Sequence, residues 1–555
     1  MNQQLVDLKK FIDDLSGHWP LPGGTVVITN KNEIVGEFAF GYADLEGKIP
    51  TRIDHRYQVG SISKTFVSIV INQLVAEGLI NLDQEIASIL PWVEISGDPS
   101  EVTVRNLLAH TAGLILGGDG IPDDYAQIWA LRNSPRVKNS TNHFHYSNVG
   151  FMLLGLAIEA VTHTSLADQL TSRIFKPLGM DSSLGAILHE HRESLAVGYW
   201  PMREEIPWRP GDALSRATWF EVFPADGCVA STSTDMATFL MLLLNKGTVG
   251  GREILPLANF VEMATPHAPD GEGMIEIRGG YKITENFYGL GVNTELVNGK
   301  PCLTHGGGMV GYSTFALVDA ESGFGVCVLT NANGDYPAAH LIARAAHQLF
   351  VPPSDSAVSI PLPPAQLCIV NGISSLTPAA QMLGVFTCGS KSVTLSCDGE
   401  TGISVTSGSS IGSLQPTWAG RYTCDISQLE TYRWDFFDDE RGARWLCGPD
   451  VYYADEKKRP TLSAPDHGLV GHYRNYSPWF NNFRIIQREG ELFLVAPGGV
   501  EAPQDDLKLV SIESGKWRIG EEPWLPEILV AGPEVNGSVI SVFRDGVQYS
   551  RTPKR

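Results

Sequence analysis

From Thr65 to Ile80 the chain carries apolar residues on nearly every face of a helix: Phe66, Val67, Ile69, Val70, Ile71, Leu74, Val75 and Leu79. A helix without a polar stripe is buried on all sides, so the segment predicts the interior of a domain large enough to surround it. An extended stretch, Tyr57-Gln58-Val59-Gly60, runs into this helix, and at the junction stands Ser61-Ile62-Ser63-Lys64, the one S-x-x-K in the sequence. One helical turn puts Ser61 and Lys64 on the same face, where the amine can touch the hydroxyl. A lysine at the mouth of a buried helix is costly unless it is paired or titrates toward neutral, and a neutral amine is a base. The pair is a candidate nucleophile with its proton acceptor attached. Chance supplies S-x-x-K about once or twice in a chain of this length, so the motif gains weight only in combination with others.

Two further motifs occur, in chain order. Tyr146-Ser147-Asn148 precedes the apolar run Val149–Leu156, which places it in a loop or helix start able to face a cleft. Taken alone it reads as a buried tyrosine with a satisfied hydroxyl, and Tyr473-Arg474-Asn475 matches the same pattern. His305-Gly306-Gly307-Gly308 lies between two strand-like segments, Lys300–Thr304 and Tyr312–Val318. A glycine run is ordinarily a turn. On a strand it also bares backbone N–H groups and admits a substrate closely, as an oxyanion site needs.

The order S-x-x-K, Y-x-N, H-x-G resembles the active-site triplet of the serine β-lactamase, penicillin-binding-protein and D-aminopeptidase superfamily. Thr103–Leu114 is similar to the helix and turn leading into that family's active site, and Phe175–Asp181 to the loop after the helix that follows Y-x-N. The resemblance covers roughly the first 350 residues and implies an α+β fold, an antiparallel sheet with helices. It implies that Ser61 attacks an acyl carbon, that Lys64 and Tyr146 shuttle its proton, and that the N–H groups of Ser61 and Gly308 hold the oxyanion. Asn148 would position the substrate amide and Lys64. His305 would sit at the cleft wall, and Gly306 and Gly307 would join Gly308 in the substrate-binding and oxyanion strand. No cofactor and no metal are implied. β-Lactamases and transpeptidases usually carry lysine where this chain has His305, a fixed charge suited to a substrate carboxylate. Histidine is largely neutral near pH 7, which favours the D-aminopeptidase, D-amino-acid amidase and esterase-like branch over anionic β-lactams. A carboxylesterase or acyltransferase is the alternative within the fold. A non-catalytic penicillin-binding sensor would be expected to lack Ser61, Lys64 or Tyr146, and all three are present.

With 43% hydrophobic and 19% charged residues the chain is an ordinary globular composition, and its net charge of -21 argues against nucleic acid or an anionic membrane as partner. The expected partner is a small molecule or short peptide, with a homo-oligomer left open. Residues 1 to 18 read as an amphipathic helix and no run is long enough to span a bilayer, so the expected setting is cytoplasmic. Eight cysteines occur without C-x-x-C; Cys228, Cys302 and Cys327 read as core thiols, and a reducing compartment disfavours pairing among Cys388, Cys397, Cys424 and Cys447. His143-Phe144-His145 and His189-Glu190-His191 have no third ligand at metal spacing.

Organisation changes near residue 350. The catalytic domain is assigned to 1–350, a proline-rich linker to 351–380, and two small antiparallel, lipocalin-like barrels to 381–460 and 466–555, with a break near Arg459–Pro465. The two barrels resemble those following the catalytic domain of D-aminopeptidases. One barrel loop is expected to reach the catalytic cleft and narrow it. A single larger sandwich of the same strands is the alternative. Gly408-Ser409-Ser410-Ile411-Gly412 fits G-x-S-x-G, but its polar flanks and Pro416 predict a flexible loop, not a nucleophile elbow.

Overall fold

The computed structural model describes residues 2–17, 21–97, 101–117, 123–134, 136, 143–209, 211–272, 282–332, 338–352, 380–398, 402–417, 421–460, 468–500 and 505–553. The strands β1 (Gly23–Thr29), β2 (Ile34–Asp44), β3 (Ile49–Pro50), β4 (Ile283–Tyr288), β5 (Asn293–Val297), β6 (Lys300–Met309), β7 (Tyr312–Asp319) and β8 (Phe324–Thr330) form one sheet in the order β4-β5-β6-β7-β8-β1-β2-β3. Every described pairing in it is antiparallel. β1, β7 and β8 are buried at every residue, so helices cover both faces at the centre of the sheet.

Six helices frame the site: α1 (Asn2–Ser16), α2 (Ser63–Ala76), α3 (Val104–Leu108), α4 (Asn148–Thr162), α5 (Ser233–Leu244) and α6 (Ala338–Phe350). α1 buries Leu8, Phe11, Ile12 and Leu15 and packs on α6, which lies against β7 and β8. α5 packs on β1 and β8, and its Phe239 ring stacks on Phe66 of α2 with centroids 3.9 Å apart. The all-round apolar character of α2 is thereby explained: Phe66, Val67, Val70, Ile71 and Leu74 are fully buried. The helix is shorter than its sequence predicts. It stops at Ala76 because Gly78 takes φ +73, which leaves Leu79 exposed.

Of the two readings of His305–Gly308, turn or strand, the structure has the strand: β6 continues through all three glycines and pairs Gly306, Gly307 and Gly308 with Phe315, Thr314 and Ser313 of β7. Gly307 has a steric reason. A Cβ there would lie 2.0 Å from the Val59 carbonyl oxygen, so only glycine lets this strand lie against the turn that carries Ser61.

Two compact units are present. One comprises Met1–Trp200, Leu214–Leu362 and Glu522–Glu527; the other comprises Pro201–Ala213, Pro363–Glu521 and Ile528–Arg555. Within the second unit, eight strands from Gly384–Cys388 to Asp450–Tyr453 close into one antiparallel barrel, and eight from Gly471–Arg474 to Val547–Arg551 close into another. The first is filled by Trp434, Trp445, Val393 and Val405, the second by Tyr473, Phe480, Leu529 and Tyr549. Closure into two barrels removes the free edges that a sandwich would keep. G-x-S-x-G is not a flexible loop: Ser410 opens the strand Ser410–Pro416, which pairs with Gly402–Ser407 as a hairpin of the first barrel. Its Gly408 adopts φ +60 in the turn. Most of the expected linker, 353–379, and 461–467 at the expected break between barrels lie outside the described residues.

Candidate active site

Ser61 does not begin the long helix itself. It sits in a single 3-10 turn, Gly60–Ile62, and the α-helix starts at Ser63. The tighter turn, with three residues per revolution, brings positions i and i+3 nearly into line, and Lys64 Nζ lies 2.9 Å from Ser61 Oγ. Gly60 is held at φ +57, and a Cβ on it would meet Gly308 N at 2.8 Å, so the backbone of β6 abuts the turn that carries Ser61. The other flank is fixed by the pair Tyr57–Gln58 with Ala230–Ser231, by Val59 N–H donating to Val229 O (3.0 Å), and by Val229 N–H donating to Ser63 Oγ (3.0 Å).

Lys64 is fully buried and paired. An ammonium has three N–H donors, and Nζ meets three oxygens: Ser61 Oγ, Asn148 Oδ1 at 2.8 Å and the Asp226 carbonyl at 3.0 Å. It also lies 4.9 Å from the centre of the Tyr146 ring and 5.6 Å from that of Phe151, close enough for cation–π attraction. Tyr146 and Asn148 reach this point because Ser147 caps α4, its Oγ accepting from Gly150 N (3.1 Å). Ser61, Lys64, Tyr146 and Asn148, which span 88 positions of the sequence, are thus brought together.

His305 lies behind them on β6, almost completely buried. Nδ1 is 2.7 Å from the Gly306 carbonyl and Nε2 is 2.8 Å from the Tyr288 hydroxyl. A carbonyl can only accept, so the proton is on Nδ1 and Nε2 takes the Tyr288 hydrogen. Burial lowers the His305 pKa, Lys64 adds to that, and Glu272, whose carboxylate is 4.0 Å from Nδ1, opposes it without reversing it. The imidazole is neutral. Glu272 is itself anchored, its N–H donating to Asn293 Oδ1 (3.1 Å) and its carboxylate accepting from Asn293 Nδ2.

Several groups around the site carry no motif of their own. Tyr288 is an isolated tyrosine on an edge strand, and Asp226 contributes a backbone oxygen that no residue pattern reveals. His110 lies inside the Thr103–Leu114 segment, whose sequence gives it no role. The His143 ring stacks on Trp524 at 4.5 Å, and His145 Nε2 contacts Glu527 Oε1 at 2.7 Å. Glu527 also accepts from Leu116 N–H (2.9 Å). His191 Nδ1 accepts from Leu188 N–H at the start of a short turn. Among the described residues the one grouping with metal-ligand chemistry is Cys302, Asp319 and His347, buried with donor atoms within 4.8 Å of one another. Its carboxylate is already engaged by Ser322 N–H (2.8 Å) and His347 Nε2 (3.2 Å). All seven described cysteines are free thiols. Among the described residues no single helix is long and apolar enough to cross a membrane.

Residues 8–349 match the Beta-lactamase family profile. The chain therefore belongs to the beta-lactamase family, whose fold is that of serine hydrolases and penicillin-binding proteins. Protein flp of Staphylococcus aureus (strain N315) is 24% identical over 352 residues, covering 60% of this chain and 64% of that protein. A penicillin-binding protein of Bacillus subtilis (strain 168) is 25% identical over 357 residues, covering 60% of this chain and 73% of its own length. The match thus spans less than two thirds of Protein flp. A solved octameric penicillin-binding protein homologue from Pyrococcus abyssi superposes with a TM-score of 0.56 at 22% identity, over 81% of this chain and 99% of that one, a likeness of fold.

Proposed function

We propose that the protein is a serine hydrolase that forms an acyl-enzyme on Ser61 and cleaves amide or peptide bonds of D-amino-acid amides or short D-peptides. The observation that carries the reading is the placement of Lys64 Nζ between Ser61 Oγ, Asn148 Oδ1 and the Asp226 carbonyl. In this reading Lys64 and Tyr146 form one coupled relay that starts one proton short, an ammonium beside a phenolate, so Tyr146 takes the Ser61 proton and later delivers it to the leaving group. The Ser61 and Gly308 N–H groups receive the oxyanion, a role supported by the close approach of β6 to the nucleophile turn. Asn148 holds Lys64 and the substrate amide.

The substrate class follows from charge. His305 is neutral where a lysine would offer a carboxylate a partner, and Glu272 is the acidic group beside it, which suits a substrate with a free ammonium rather than an anion. The two closed barrels after the catalytic unit fit the D-aminopeptidase branch. The unpaired cysteines fit a reducing, cytoplasmic setting. Assembly into a homo-oligomer is compatible with the octameric homologue of similar fold.

Ser61→Ala should abolish turnover and labelling by a fluorophosphonate or penicillin-like probe; retained turnover rejects the acyl-enzyme. A panel of D- and L-aminoacyl anilides and p-nitrophenyl esters reads out the class. D-anilides turned over well above L-anilides support the amidase, whereas turnover of esters alone identifies a carboxylesterase or acyltransferase.

A further inference from the structure

α3 ends at Leu108 with Ala109 as its C-cap, and the next residue, His110, takes φ +57, the left-handed conformation that usually falls to glycine after a helix. A side chain there costs on the order of 1 kcal/mol of backbone strain, and such strain persists where the surroundings enforce it. Here the left-handed turn aims two acceptors of one residue at a single segment. The His110 carbonyl accepts from His145 N–H at 2.8 Å, and His110 Nδ1 accepts from Ser147 N–H at 3.0 Å. These two donors flank Tyr146. The imidazole also packs on the Tyr146 ring, with centroids 4.2 Å apart, and touches the rings of Phe151 and Tyr288.

We infer that His110 is the positioning residue of the Tyr146 relay: it clamps the backbone on both sides of Tyr146 and, through a neutral Nδ1 acceptor, sets where the phenol stands relative to Lys64 and Ser61. The inference rests on the role given to Tyr146 above. Nδ1 can accept only while unprotonated, so the ring is the Nε2–H tautomer. Burial, reinforced by Lys64 from α2, His305 from β6 and the neighbouring His145, holds its pKa well below the ordinary histidine value. An imidazolium there would lose the Ser147 bond and face the Lys64 ammonium. His110 touches neither Ser61 nor Lys64 through any described hydrogen bond, so its effect passes through Tyr146.

Asparagine separates this role from mere packing. Its Oδ1 hangs from Cγ as His Nδ1 does, and it tolerates the left-handed region. His110→Asn should keep kcat within about fivefold of wild type, whereas His110→Ala should lower kcat about a hundredfold with KM within about threefold, the cost of misplacing a reacting group by about 1 Å. The His110→Ala, Tyr146→Phe double variant should be no slower than Tyr146→Phe. Melting curves accompany each variant; if His110→Ala does not fold, His110→Gly, which adopts φ +57 freely, replaces it. The inference is overturned by an unimpaired His110→Ala or Gly, by a folded His110→Asn as slow as the alanine variant, or by losses that multiply with Tyr146→Phe. If Tyr146→Phe is itself fully active, the relay fails first, and the His110 result is then read as a fault of that reading.

Discussion

Lys64 Nζ donates to a serine hydroxyl, a side-chain amide and a backbone carbonyl, which makes it a structural pin as well as the proposed proton carrier. Replacing it with methionine, of similar length, leaves Asn148 Oδ1 and the Asp226 carbonyl without that donor in a buried setting. Lys64→Met is expected to cost about 1–3 kcal/mol of stability by urea unfolding, since two buried acceptors lose a charge-assisted hydrogen bond. Turnover should fall by at least about a thousandfold as the proton relay is lost. A variant that is folded and active within tenfold would remove Lys64 from the chemistry. His305 behaves differently: it is just as buried, yet its bonds to Gly306 and Tyr288 suit a neutral ring, so it shapes the site without charging it.

Elements place these residues by close backbone approach. β6 lies close against the residue before the Gly60–Ile62 turn, because Gly307 faces Val59 O and Thr314 Oγ1, itself bonded to Val59 O at 2.8 Å. Gly307→Ala puts a methyl 2.0 Å from the Val59 carbonyl oxygen and 2.3 Å from Thr314 Oγ1, and neither a strand in mid-sheet nor the turn that carries Ser61 moves freely. Turnover is expected to drop at least about a hundredfold, and the protein to lose about 1–3 kcal/mol, as overpacked sites do. Unchanged kcat in the alanine variant would show that β6 is not what sets the site. The same strand is braced from behind: Arg344 of α6 makes a paired contact with Glu295 of β5 at 2.8 and 2.9 Å, and Glu295 accepts from Thr304 Oγ1 on β6.

At the scale of the whole molecule, residues far apart in sequence complete the catalytic unit. Glu522–Glu527 belong to it although both flanking stretches of chain build the second barrel. Glu527 binds Leu116 N–H and His145, the residue before Tyr146. Burial lowers the His145 pKa, but the Glu527 carboxylate outweighs it and the net shift is upward. A raised pKa in the folded state contributes stability that is full below the unfolded value, about 6.5, and is lost as pH rises through the folded value. The melting-temperature gap between wild type and Glu527→Gln should therefore be widest below about pH 6.5 and shrink above it. A gap that stays flat or widens with pH would sink the ion pair as its source.

Local sequence was enough for the S-x-x-K pairing of Ser61 with Lys64, the buried helix behind it and the helix start after Tyr146. Each depends on neighbours a few positions apart, where spacing acts directly. Packing decided the rest. The glycines of β6 lie against Val59, and G-x-S-x-G is a hairpin because barrel partners pair with it. The neutrality of His305, the oxygens around Lys64 and the grip of His110 on the Tyr146 segment join residues tens to hundreds of positions apart. Motif spacing named the chemical groups; only the fold sets the burial and hydrogen bonds that determine their charge and reach.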